Sequence, residues 1–180
     1  IIRIVGPSGA RKSSFVNMVT GSQGQRVGHS LTSCTSEINA VRCTISGSTI
    51  VLLDTPGFKD TNKSDTEILK SIVDWLSKRY GKGTLLSGIL YFHRITDDRI
   101  TGTAVKYIPD FQRLCGENSI SKIVLTTTMW DGLEEEVGIE RLKGLKRNYW
   151  KPMAARGSTA FRYLNTRQSA EELLLHLLGR

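Results

Sequence analysis

The chain has 180 residues, of which 39% are hydrophobic and 23% charged, so one globular domain is expected and a disordered chain is excluded. Its 25 lysines and arginines against 17 aspartates and glutamates give a net charge of +8, which favours an anionic partner such as a nucleotide. The sequence contains no long run of like charges and no basic strip interleaved with aromatic residues, so no specific nucleic-acid binding is expected.

Apolar stretches of strand length alternate along the chain with amphipathic segments of helical period. Strands are predicted at residues 1–5, 37–45, 50–53, 87–92, 122–127 and 160–163, and helices at 13–20, 64–78, 103–114, 135–153 and 167–178. The alternation predicts an α/β fold with a mostly parallel sheet of about six strands covered on both faces. The turn at Ser46, Gly47 and Ser48 predicts a hairpin that gives the sheet one antiparallel edge.

A glycine-rich turn follows the first strand and opens the first helix. It consists of Gly6, Pro7, Ser8, Gly9, Ala10, Arg11, Lys12 and Ser13, with Ser14 next in the helix. In this context the pattern predicts a phosphate-binding P-loop, because glycines let backbone N–H groups surround phosphates and the helix N-terminus adds a favourable dipole. Lys12 is predicted to bridge the β- and γ-phosphates, and the Ser13 hydroxyl is predicted to hold Mg²⁺.

One position departs from the P-loop pattern, because Arg11 stands where a glycine is expected before the lysine. Its side chain must find room beside the bound phosphates, where it either adds a positive contact or obstructs the nucleotide or the metal. We expect weakened affinity rather than lost binding, since the start of a helix does not strictly need a positive φ.

A second motif, Asp54-Thr55-Pro56-Gly57, ends an apolar strand about 40 residues after the P-loop. A carboxylate at this place is predicted to hold Mg²⁺ through a water molecule, and the Gly57 N–H to contact a γ-phosphate. The hydroxyl-rich segment 29–36 is predicted to be a first switch. There Thr35 completes the Mg²⁺ shell, and Thr32 is the alternative.

Together the P-loop and the segment from Asp54 to Phe58 resemble a translation-factor-class G domain of the septin-like, paraseptin branch. This branch includes the GIMAP GTPases, the Toc receptors of the chloroplast envelope and stand-alone fungal G-domain proteins, of which the last are the most similar. The resemblance covers residues 1–180 as a single P-loop NTPase G domain with three α/β/α layers. It implies binding of GTP and GDP, Mg²⁺ dependence, slow GTP hydrolysis as a molecular switch, and nucleotide-dependent homodimerisation.

The cysteines and apolar runs bear on where the protein acts. Three cysteines at unrelated spacings form no zinc pattern, and no apolar run reaches the roughly 18 residues of a membrane-spanning helix. We therefore expect a cytoplasmic (intracellular) protein. The anchors of the GIMAP and Toc relatives lie beyond the G domain, so membrane association is expected only through segments outside this chain.

By the same resemblance, an Asn/Thr-Lys-x-Asp motif after the fifth strand reads the base, and Thr128-Met129-Trp130-Asp131 matches it. Asp131 can accept hydrogen bonds from guanine N1–H and N2–H₂, which adenine cannot supply. Met129 replaces the lysine, so ATP or broad nucleotide use stays open. The resemblance also places Asn165 beside the base. An alternative interpretation makes Trp130 a core residue and Asp131 the cap of the next helix.

The source of catalysis is the last question that the sequence raises. Phe58 stands where many small GTPases carry a glutamine that orients the attacking water, so another group must assist. Segment 93–99 resembles a stretch of the Toc receptors. By that match Arg99 corresponds to the arginine that reaches across a dimer interface, and a plain surface loop is the alternative. Arg11 and Phe58 also leave open a nucleotide-binding scaffold with little hydrolysis.

Overall fold

The fold is built on one twisted sheet. The computed structural model describes residues 1–7, 9–21, 25–26, 39–54, 65–97, 108–116 and 120–179. In these residues the strands are β1 (Ile2–Val5), β2 (Gln25–Arg26), β3 (Asn39–Ile45), β4 (Ser48–Asp54), β5 (Gly88–Arg94), β6 (Ile123–Thr128) and β7 (Thr159–Arg162). The helices are α1 (Lys12–Thr20), α2 (Asp65–Tyr80), α3 (Ile108–Cys115), α4 (Glu135–Gly144), α5 (Lys151–Ala154) and α6 (Arg167–Leu177).

The strand order is β2-β3-β4-β1-β5-β6-β7, with parallel pairing from β4 through β7. The strands β3 and β4 form the predicted antiparallel hairpin, in register from Asn39 opposite Asp54 to Ile45 opposite Ser48. A two-residue strand, β2, pairs antiparallel outside this hairpin and adds a seventh strand to the expected sheet. The mostly parallel α/β fold is confirmed. Because β1 has β4 on one side and β5 on the other, the carboxyl end of β1 is a topological switch point where ligands bind in such sheets.

Both faces of the sheet are buried, as its apolar strands predict. On one face Phe15 of α1 packs edge-on against Phe92 and Tyr163, with ring centroids 5.3 and 5.4 Å apart. On the other face Trp150 and Phe111 belong to a second buried cluster, with α2 residues beside them. The three layers follow from this double burial, because a parallel sheet must be covered on each side.

The helix predicted over residues 135–153 is interrupted, so the prediction of one continuous helix was wrong. After α4 ends at Gly144, a π-helical turn spans Leu145–Tyr149, and α5 begins at Lys151. The backbone N–H of Trp150 donates to the Leu145 carbonyl at 2.8 Å, a five-residue step that accompanies full burial of the indole. Pro152 has no N–H to continue the α4 hydrogen-bond ladder, and it lies in the first turn of α5, where a proline is tolerated.

Two other predicted helices are seen, each from the first described residue of its segment. The helix predicted over 103–114 is seen as α3 from Ile108, and residues 103–107 lie outside the described part of the chain. The helix predicted from residue 64 is seen as α2 from Asp65, and it continues two residues beyond its predicted end to Tyr80. Across the described ranges, no helix is both long enough and apolar enough to cross a membrane.

Candidate functional site

The glycine-rich turn joins β1 to α1 at the carboxyl edge of the sheet. Gly6 has φ +144°, and a Cβ built on it would lie 2.3 Å from the Phe92 carbonyl oxygen. Only glycine fits where the turn presses on β5 so closely. Gly9 also has a positive φ, of +74°. Arg11 likewise has a left-handed backbone, with φ +65°, so the expectation that this position needs no positive φ was wrong. The Arg11 side chain provides no cap hydrogen bond to α1, so the N–H groups of its first turn remain suited to an anion.

Lys12 folds back over this turn. Its Nζ donates to the carbonyl oxygens of Gly6 and Pro7, each at 2.8 Å. The ammonium group therefore lies against the same loop whose backbone would surround a polyphosphate. This is the placement that the sequence pattern predicts for the lysine of a P-loop.

Ser13 and Asp54 meet beside Lys12, although 41 positions separate them. The Ser13 hydroxyl donates to Asp54 Oδ2 at 3.0 Å. Burial raises the pKa of the Asp54 carboxyl, while the Ser13 hydrogen bond and the Lys12 charge oppose that rise. A half-buried carboxylate of this kind is suited to a cation that neutralises its charge.

The donor set fits Mg²⁺. A hydroxyl and a carboxylate are hard oxygen ligands, and Mg²⁺ is usually bound by one or two protein groups together with waters and substrate phosphates. Among the described residues no group of three His, Cys, Asp or Glu side chains could hold a metal ion. The pair formed by Ser13 and Asp54 would supply the protein ligands of Mg²⁺, with waters and phosphate oxygens as the others.

Arg94, at the end of β5, adds a second cation to the phosphate turn. One of its guanidinium nitrogens, Nη1, lies 3.2 Å from the position of a Cβ built on Gly9. Its Nε donates to Asp97 Oδ2 at 3.1 Å, which holds the side chain in place. Next to it, burial lowers the pKa of His93, so this imidazole favours the neutral form. The sequence pattern of the P-loop carries no signal for Arg94, because the contact depends on the pairing of β1 with β5.

The base-side segment begins where β6 ends. The Thr128 side chain is fully buried, and its hydroxyl donates to the His93 carbonyl at 3.4 Å, so it ties β6 to β5. Met129 has φ +63° and starts the short 3₁₀ turn Trp130–Gly132. Trp130 is buried and its Nε1–H donates to Thr127 Oγ1 at 3.1 Å, as the core interpretation of this tryptophan predicts.

Trp130 packs closely against Arg162 and Gly138. The Arg162 guanidinium carbon lies 3.9 Å from the centre of the Trp130 ring, and Nη2 of the same arginine donates to Glu135 Oε2 at 2.6 Å. Gly138 is also close to this ring, since a Cβ built on it would come within 2.6 Å of the indole. Asp131 thus directly follows a tightly packed residue, Trp130, in the chain. Nothing in the local sequence indicates this packing, since β7 and α4 supply it.

Asp131 does not cap the next helix. The helix α4 begins at Glu135 with Glu134 in the capping position. Instead, Nη2 of Arg11 contacts both carboxylate oxygens of Asp131, at 3.1 and 2.8 Å, and this hydrogen bond lowers the pKa of Asp131. Nε of Arg11 lies 2.8 Å from the Met129 sulfur. The arginine of the P-loop therefore reaches the segment predicted to read the base.

Asn165 lies in the loop after β7 with a left-handed backbone, φ +58°. Its Oδ1 accepts hydrogen bonds from the Ser14 hydroxyl at 3.1 Å and from the Tyr163 hydroxyl at 3.4 Å. This loop is therefore attached to α1 close to the phosphate turn. Thr166 follows and caps α6 by accepting from the Ser169 N–H.

The structure thus brings most of the predicted site to one edge of the sheet. Lys12, Ser13 and Asp54 meet on the phosphate side, and Arg11 meets Asp131 on the base side. The Thr128 side chain points into the sheet instead. The predicted site residues Ser8, Thr35, Gly57 and Arg99, the alternative Thr32, and Phe58 lie outside the described residues.

Comparison with known proteins finds a curated relative of this chain. GTP-binding protein A of Dictyostelium discoideum is 27% identical over 144 residues, which cover 75% of this chain and 31% of that protein. The chain thus spans about a third of the length of this curated relative.

Two crystal structures of Toc33 from Arabidopsis thaliana share the fold. A dimerization-deficient mutant matches with a TM-score of 0.62 and 20% identity over 92% of this chain and 70% of that one. The complex with Mg²⁺ and GMPPNP matches with a TM-score of 0.61 and 17% identity over 99% and 84%. The family model described as AIG1 matches residues 1–145, and this chain belongs to the AIG1 family.

Proposed function

We propose that this protein is a Mg²⁺-dependent guanine-nucleotide-binding switch that hydrolyses GTP to GDP slowly, as a single G domain of the septin-like branch. One observation carries the proposal. The phosphate turn lies at the switch point of a parallel sheet, and its first position accepts only glycine. Around this turn the structure brings together the side chains of Lys12, Ser13 and Asp54. Similarity to the named GTP-binding protein A and to Toc33 with GMPPNP supports the same assignment.

The phosphate side would act by charge and orientation. Backbone N–H groups at the start of α1 would bind the phosphate oxygens, and Lys12 would leave the Gly6 and Pro7 carbonyls to bridge the β- and γ-phosphates. Ser13 and Asp54 would hold Mg²⁺, which when bound neutralises charge that develops on the phosphates. Arg94 would add positive charge beside Gly9.

The base side would select the nucleotide. Asp131 would accept from guanine N1–H and N2–H₂, and Asn165 would border the base from the opposite loop. Thr35 and Gly57, in the predicted switch segments, would respond to the γ-phosphate. Since Phe58 cannot orient water, Arg99 of a second copy would assist hydrolysis in a nucleotide-dependent homodimer.

Calorimetry and single-turnover kinetics test this proposal. We expect GTP and GDP to bind in the presence of Mg²⁺, more weakly without it, and GTP to turn over at a rate that rises with protein concentration. Lys12→Ala should lose most of the binding, while Lys82→Ala, at a surface turn after α2, should leave it unchanged. Arg99→Ala should slow turnover without weakening binding. Failure of every purine triphosphate to bind would contradict the proposal.

A second candidate is an ATP-binding or broad-specificity nucleotide hydrolase, or a binding scaffold with little turnover. It is favoured by the ion pair that Asp131 already makes with Arg11, since an occupied carboxylate reads guanine less well. The same measurements separate the candidates. Equal affinities for GTP and ATP support broad specificity, and tight binding without turnover supports the scaffold.

A further inference from the structure

The side chain of Arg11 leaves the phosphate turn and crosses to the base side. Its partner Asp131 is 120 positions away in sequence, and both carboxylate oxygens lie within 3.1 Å of Arg11 Nη2. The arginine is mostly shielded, with 22% of its side chain exposed, while Asp131 is 65% exposed. The carboxylate that is proposed to read the base is therefore exposed to solvent and already paired with Arg11.

The two oxygens that Arg11 occupies are the ones that a guanine base needs. Guanine offers one N1–H and one N2–H₂ donor to a carboxylate, and each donor requires an acceptor oxygen. Adenine lacks this pair of donors, so its binding does not depend on Asp131. A cation on Asp131 therefore opposes guanine binding more strongly than adenine binding.

We propose that Arg11 is a specificity-determining residue that competes with the guanine base for Asp131 and lowers the preference of the site for guanine over adenine nucleotides. This inference rests on the proposed function, because it concerns the same nucleotide site. It assigns to Arg11 a role on the base side, in addition to any effect on the phosphates that its place in the P-loop suggests.

The backbone is unusual at Arg11 and at Met129, the other residue that its side chain contacts. Arg11 has φ +65° and Met129 has φ +63°, and both are non-glycine residues in the left-handed region. Such residues are uncommon, and they are retained when the surroundings determine them. Here the Arg11 side chain contacts Met129 as well as Asp131. Thus the residue that replaces the P-loop glycine and the residue that replaces the lysine of the base-reading motif contact each other.

The expected effect is modest because the pair is partly exposed. Exposed ion pairs contribute little to stability, so their removal changes an equilibrium by only about two- to fivefold. We expect Arg11→Gly to raise GTP affinity about two- to fivefold more than ATP affinity. Arg11→Gln keeps a long side chain without charge and should retain most of this selective gain, which separates charge from bulk.

The test is a double-mutant cycle on the nucleotide preference. Dissociation constants of GTP and ATP with Mg²⁺ are measured by calorimetry for the parent, Arg11→Gly, Arg11→Gln, Asp131→Asn and the double variant Arg11→Gly/Asp131→Asn. Thermal unfolding of each variant confirms that it is folded. In the Asp131→Asn background, Arg11→Gly should change the GTP and ATP affinities equally. The carboxylate for which Arg11 and the guanine base compete is then gone.

The outcomes are distinguishable. A selective gain for GTP that depends on Asp131 supports the inference. An equal change for GTP and ATP in Arg11→Gly, or a loss of guanine preference, overturns it while nucleotide binding itself still supports the proposed function. If none of the five proteins binds either nucleotide, the proposed function fails and the inference fails with it.

Discussion

The phosphate side and the base side of the candidate site are built in different ways. On the phosphate side, backbone conformation and short contacts set the geometry, with Gly6 pressed on β5 and Ser13 bonded to Asp54. On the base side, side chains from distant segments set it. Asp131 is held by a buried Trp130 and paired with Arg11.

This difference predicts where the site tolerates substitution. A phosphate is bound by N–H groups and fixed charges, so the turn and its glycines allow few substitutions. In the proposed function a base is selected by the single carboxylate of Asp131, and we expect its neighbours to allow more substitutions. Arg11 departs from the P-loop pattern and Met129 from the predicted base-reading motif, and these two residues contact each other.

The largest effect is expected from Gly6→Ala. A methyl group would meet the Phe92 carbonyl oxygen at 2.3 Å. In addition, the backbone of any residue with a side chain is strained at φ +144°. We expect the free energy of unfolding to fall by about 3 kcal/mol or more, with loss of nucleotide binding. Denaturant unfolding measures this. Gly47→Ala is the control, since it has φ +77° but open space, and it should cost only about 1 kcal/mol. Similar losses for both would contradict the close contact.

Asp54→Asn should separate metal binding from stability. Loss of the carboxylate should weaken Mg²⁺-dependent nucleotide binding by at least about tenfold, by analogy with changes around metal ligands. The pKa of Asp54 is raised in the fold, so its contribution to stability is full below the ordinary pKa and is lost as the pH rises through the raised value. At neutral pH the carboxylate therefore opposes folding of the metal-free protein.

The unfolding midpoint of metal-free Asp54→Asn should accordingly rise at pH 7, by roughly 2–4 °C for each kcal/mol gained. This gain should shrink as the pH is lowered toward 4. Ser13→Ala is the matched variant, because it also removes a proposed Mg²⁺ ligand but leaves the half-buried carboxylate without its hydrogen bond. It should lower the midpoint. A lower midpoint for Asp54→Asn would show that the carboxylate stabilises the free protein.

Gly138→Ala tests the support of the base side. Its methyl group would meet the Trp130 indole at 2.6 Å, and this ring is buried. We expect a loss of about 1–3 kcal/mol from overpacking and weaker guanine preference, as Asp131 shifts with its neighbour. Gly144→Ala, in the same helix with open space around it, should instead gain about 0.5–1 kcal/mol. Chemical unfolding of the Gly138→Ala and Gly144→Ala variants measures both effects. Equal changes in the free energy of unfolding would argue against the Trp130 contact.

Much of this site could be predicted from local sequence. The spacing of Gly6, Gly9 and Lys12 after a strand is enough to predict the phosphate turn, because these residue types are needed for its backbone conformation. Asp54 could be placed beside it, since carboxyl ends of parallel strands share one edge. The contact of Arg11 with Asp131 could not be predicted, because a side chain at that position has several possible directions.

The interrupted helix shows the same limit in the fold. The periodic pattern of residues 135–153 is helical throughout, and it predicts a single helix. Burial of Trp150 next to His93, with ring centroids 6.0 Å apart, is instead accompanied by a π-helical turn. The spacing of hydrophobic residues does not show where a helical turn contains one additional residue. The pattern therefore predicts the helical content correctly but not the interruption of the helix.

By itself, the amino-acid order determined the α/β architecture and the phosphate turn, since strand burial, helix period and glycine requirements are local properties of the chain. Tertiary structure decided which charges meet, including Arg11 with Asp131 and Arg94 with the turn at Gly9. The physical reason is that backbone conformation depends on near neighbours, whereas the pairing of long charged side chains depends on which strands and loops the fold brings together.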